Sequence, residues 1–98
     1  MERWGAVMGH CRPEEIEDLK SLLDEILNWD KIQEKGFGKL YLKSKGFLHF
    51  HSKERRRWAD VRDGINWGSE LELPFNATAT QKKKFLQEVK KRYSKCLS

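Results

Sequence analysis

The chain contains no long apolar run. Its hydrophobic residues come a few at a time, which excludes a membrane-spanning helix of about 20 apolar residues. The opening stretch MERWGAVMGHCR lacks the apolar core and small-residue cleavage pattern of a secretory signal, so the expected compartment is the cytoplasm. Cysteine is scarce: Cys11 and Cys96 lie near opposite ends, with no CxxC spacing. That removes thioredoxin-type and zinc-ribbon readings, and in a reducing compartment both thiols are expected to be free. No glycine-rich phosphate loop is present, and no serine or cysteine stands at an interpretable spacing from the histidines. No catalytic residue, resident metal or cofactor is therefore expected, and a binding role is favoured over an enzymatic one.

What is present is charge, and it is unevenly placed. Across 98 residues the net charge is +5. Residues 13–30 hold seven acids and one base, whereas residues 77–98 hold seven bases and one acid. The chain is electrically two-ended, a property that bears on partners rather than on fold. Its length suits one domain, residues 1–98, with residues 1–11 as an arm able to lay Trp4 or Val7 across it.

Periodicity predicts the architecture. Pro13 opens a helix, with Glu14 and Glu15 at its positive end. Ile16, Leu19, Leu22, Leu23, Ile26 and Leu27 recur at the 3, 4 and 7 spacings of one helical stripe, and Trp29-Asp30 ends it. Strands are predicted at 39–43, 47–52, 58–62 and 69–73, with a tight turn at Ser44-Lys45-Gly46 and Pro74 as a stop. Thr78 and Gln81 have capping-box form before a last helix striped with Phe85, Leu86, Val89 and Tyr93. The expected fold class is α+β, in the order α-β-β-β-β-α: an antiparallel four-stranded sheet with both helices on one face.

Alternation with period two sorts the strands. Leu40, Leu42, Leu48, Phe50, Ala59, Val61, Leu71 and Leu73 form the expected core face. Tyr41, Phe47, His49, His51, Trp58, Asp60, Arg62, Glu70 and Glu72 form the other, and a single bulge would exchange the two sets beyond it. His49 and His51 stand about 6.6 Å apart along one strand face. With Asp60, Arg62 and Glu72 they define a candidate small-ligand or metal site, an HxH pattern being weak support for a metal.

A second candidate is cationic. Arg55, Arg56 and Arg57 in the middle of the chain and Lys82, Lys83 and Lys84 on the last helix supply charge for phosphates. Trp58, Phe47 and Tyr41 supply rings for stacking, the combination expected of nucleic-acid binding. A helix, an antiparallel sheet and a last helix whose first turn carries Lys82-Lys83-Lys84 is similar in layout to double-stranded-RNA-binding domains. That resemblance implies phosphate contacts from the lysine cluster. It covers topology and three residues: the alanine-rich second helix of that family is absent, a fourth strand is expected, and the first helix is acidic. A third reading is a protein-interaction module or homo-oligomer that pairs the acidic helix with the basic one, anchored by Trp4, Trp29 or Trp67. Nucleic acid remains the leading expected partner.

Overall fold

The computed structural model describes residues 11–98; the predicted arm lies outside this range except for Cys11. The chain begins with two single 3₁₀ turns, Pro13–Glu15 and Glu17–Leu19, and continues into helix α1, Lys20–Leu27. Six strands follow: β1 Ile32–Glu34, β2 Lys39–Leu42, β3 Lys45–Lys53, β4 Arg56–Asp63, β5 Asn66–Trp67 and β6 Leu71–Glu72. Helix α2, Ala79–Leu97, closes the fold. The class is α+β, as periodicity predicts, with both helices feeding one core against one sheet face. No helix among the described residues is long and apolar enough to cross a membrane.

The first helix is shorter than its apolar stripe implies. Leu19 N–H donates to Ile16 O at 2.9 Å, an i to i−3 bond. The Glu15 carbonyl, which a continuous α-helix would offer to Leu19, instead accepts from Arg57 Nη1 at 2.7 Å. The chain tightens where that carbonyl is diverted, and Ile16, Leu19, Leu22, Leu23 and Ile26 are still buried.

All strand pairs are antiparallel, in the order β1-β2-β3-β4. The outer edge of β4 is shared: Arg62 and Asp63 pair with β5, and Trp58 and Ala59 with β6. β1 and β5 escape the sequence reading because three- and two-residue strands carry no alternation. The β2–β3 turn is Lys43-Ser44, both at positive φ (53° and 73°), one step before the predicted site. Glu54-Arg55 turns β3 into β4 in the same way, at 49° and 69°. These left-handed two-residue loops match the twist of the strands they join.

Gly46, freed from the turn, sits in a bulge. Leu40 pairs with Leu48 but Tyr41 pairs with Gly46, so β3 carries one extra residue. Phe47 is that residue. It is fully buried, with its ring edge-on to Tyr93 at 6.2 Å. The remaining core assignments hold, with Leu71 only partly buried. At α2, Thr78 Oγ1 accepts from Gln81 N–H at 3.1 Å and the Gln81 side chain accepts from Thr78 N–H at 2.8 Å, completing the capping box.

Candidate binding surfaces

The second sheet face gathers the side chains that alternation assigns to it, apart from Phe47. His49 stands opposite Asp60 and His51 opposite Trp58 across β3 and β4. His51 Nε2 lies 2.9 Å from Asp60 Oδ2, with side chains 12% and 38% exposed. The rings form a run: His51 stacks on Trp58 at 5.6 Å, His49 meets Trp67 at 5.3 Å, and Tyr41 lies 6.3 Å from His49. An aspartate beside an imidazole orients the ring, which gives this face the parts of a proton-handling or hydrogen-bonding site.

Arg62 is held firmly. Its Nε donates to Gly46 O and its Nη1 to Ile65 O, both at 2.7 Å, while its guanidinium covers Trp67 at 4.6 Å. It therefore ties the bulge to the β4–β5 turn. Glu72 lies opposite Trp58 at the sheet edge and pairs with Arg56 rather than joining the histidines. Among the described residues no group of three His, Cys, Asp or Glu side chains is placed to hold a metal ion.

The predicted phosphate-contacting arginines are dispersed. Arg57 is fully buried, and each of its five N–H groups has an acceptor. Nε donates to Leu73 O, Nη1 to Glu15 O and Asp18 Oδ1, and Nη2 to Asp18 Oδ2 and Pro74 O, all within 3.0 Å. Those bonds hold the Asp18 carboxyl below the usual carboxylate range, with burial opposing. Arg57 thus leaves the phosphate set, as does buried Phe47 the stacking set. The signal was present in the sequence: Arg57 shares its parity along β4 with Ala59 and Val61, the inward positions.

Arg56 faces outward, stacked over Trp58 at 4.5 Å and paired with Glu70 and Glu72. Arg55 is exposed at its turn. Lys82 Nζ donates to Asp18 O at 3.0 Å, while Lys83 and Lys84 are exposed. Arg92, which the sequence assigns with the lysines to the outer face of the last helix, is instead buried on the apolar stripe of α2. It donates to Val61 O, Ser69 O, Ser69 Oγ and Glu88 Oε2. Gly68 makes room for it, since a Cβ there would stand 2.6 Å from Arg92 Nη1.

A different basic surface forms at the β2–β3 end of the molecule. Lys43, Lys45, Arg62 and Lys95 line a concavity of about 420 Å³ with Ile65 and Cys96. Ile65 is 85% exposed and Trp67 43%. Lys95 Nζ lies 3.1 Å from Asp63 Oδ1. Lys84, Lys91 and Lys95, all exposed, follow one stripe of α2 at spacings of seven and four, leading about 16 Å along the helix into this end. The sequence places Lys43 and Lys45 at the turns around the second predicted strand, among the cations expected to meet nucleic acid. Their meeting with Lys95 needs the tertiary fold.

Both cysteines are free. Burial pushes the Cys11 thiol up, and Ser52 partly offsets it. No protein-family model, curated protein or solved structure matches this chain.

Proposed function

We propose that the chain is a nucleic-acid-binding domain whose contact surface is the basic end. The observation that carries this reading is the convergence of Lys43, Lys45, Arg62 and Lys95 around one concavity, with the partly exposed Trp67 stacked against Arg62. The Lys84–Lys91–Lys95 stripe extends it along α2. Cations spaced over such a surface neutralise successive phosphates, and Trp67, with Arg62 lying over its ring, leaves part of its surface exposed beside them. Compared with the expectation from sequence, this reading shifts weight from Arg55, Arg56, Arg57, Lys82 and Lys83 to Lys43, Lys45 and Lys95, and keeps Lys84.

The test is a titration of labelled single-stranded and duplex RNA and DNA against the full chain, followed by fluorescence anisotropy at several salt concentrations. Affinity should fall steeply with salt, and Lys43→Glu/Lys45→Glu should weaken binding at least ~10-fold. Absence of binding to every oligonucleotide at low salt overturns the reading.

The His51–Asp60 contact of 2.9 Å favours a second reading, a small-ligand site on the sheet face with Trp58 beside it. The same titration, read on the His49 and His51 ring resonances, separates the two. Shifts confined to those rings would mean that the oligonucleotide lies on the sheet face, and shifts at the lysine-bearing turns support the basic end.

A further inference from the structure

On the acidic side of the molecule lies a groove of about 590 Å³ between the first turns, α1 and the β1–β2 connection. Its floor is apolar, with Ile16, Leu23 and Leu27. Phe37, 66% exposed, stands at its edge on a loop whose flanking Gly36 and Gly38 have φ of 120° and 67°. Glu14, Glu17, Asp24 and Glu34 line it, and the one lining cation, Lys20, is 3.1 Å from Asp24. An apolar floor with an acidic rim repels phosphates and favours an apolar anchor flanked by cations.

This chain carries such an anchor. Ile65 is the most exposed large hydrophobic side chain among the described residues, on the two-residue β4–β5 turn beside Gly64 (φ 78°). Lys43, Lys45 and Lys95 line the same concavity. The two surfaces have no lining residue in common. One copy can therefore offer its basic end while its own groove stays open to another.

We propose that the chain self-associates head to tail, the Ile65 turn and its lysines seating in the Glu17–Asp24 groove of the next copy. Such a contact is heterologous, so it repeats until a ring closes or a filament grows. It is also held by opposed charges near the surface. It should weaken from about 0.1 M to 1 M salt, as the screening length falls from about 10 to 3 Å.

Sedimentation velocity on the full chain tests this. At low salt and rising concentration the wild type should exceed the single-chain mass of 11.7 kDa, and in high salt it should return to it. Glu17→Lys/Asp24→Lys removes the groove's charge, and Lys43→Glu/Lys45→Glu removes that of the basic end. Each variant alone should sediment as a single chain. An equimolar mixture should associate again, because one intact groove meets one intact basic end and the two reversed surfaces are themselves of opposite charge. Ile65→Asp should abolish association while leaving the circular dichroism spectrum unchanged. A wild type that stays at single-chain mass at every concentration overturns the proposal, as does a mixture that fails to pair. The nucleic-acid reading is separable, since Glu17→Lys/Asp24→Lys should still bind oligonucleotides whether or not the wild type associates.

Discussion

Arg57 shows how much one side chain can organise. Its planar fork spans the first turns, the end of β6 and Pro74, and it lies 4.9 Å over the Phe75 ring. A buried guanidinium is tolerated because all five donors are met, and Asp18 supplies the counter-charge. Removing it leaves buried carbonyls without donors. Arg57→Ala should cost about 3 kcal/mol or more in urea unfolding. Arg57→Lys should recover less than half of that, because a single ammonium cannot reproduce the fork. Asp18 adds a pH signature. Its folded-state pKa lies below the ordinary 3.8, so its contribution is fully present above that value. It is lost as pH falls through the lower, folded-state value. Unfolding free energy should therefore decline below about pH 4, and Asp18→Asn should flatten that part of the profile.

At the scale of elements, the bulge in β3 decides which residues face which layer. Gly46 and Phe47 together oppose a single residue of β2, and this turns Phe47 inward while His49 and His51 keep the other face. The carbonyl of Gly46 is held by Arg62, so the irregularity is braced from β4. Phe47→Ala should destabilise by about 3–5 kcal/mol, and Phe47→Leu should leave oligonucleotide affinity unchanged. A loss of affinity in the folded Phe47→Leu protein would return Phe47 to the binding surface. The cap of α2 is a smaller, local contribution. Thr78→Ala should cost about 1 kcal/mol, with Thr78→Ser close to wild type.

Across the whole molecule, the charge asymmetry of the sequence becomes two separate places. Acids rim a groove beside α1, and lysines gather at the β2–β3 end and along α2. If four cations at that end meet phosphates, the dependence of log affinity on log salt should have a slope of roughly −3 to −4. Lys43→Glu/Lys45→Glu should flatten it by about two, whereas Lys20→Glu, on the groove side, should leave it unaltered.

The α+β class, the apolar stripes of both helices, the core face of the sheet and the Thr78 cap were legible from residue order alone. Each depends on a local period or a spacing of a few residues. The parity of Arg57 was equally legible, but a basic run reads as surface until Asp18, 39 residues earlier, is brought against it. Other features depend on long-range partners: β1 and β5, the bulge at Gly46, the burial of Arg92, and the meeting of Lys43, Lys45 and Lys95. Periodicity determined which side chains leave water. Only tertiary packing decided which charges remain at the surface to meet a partner, because a cation's availability depends on acceptors that chain order does not place beside it.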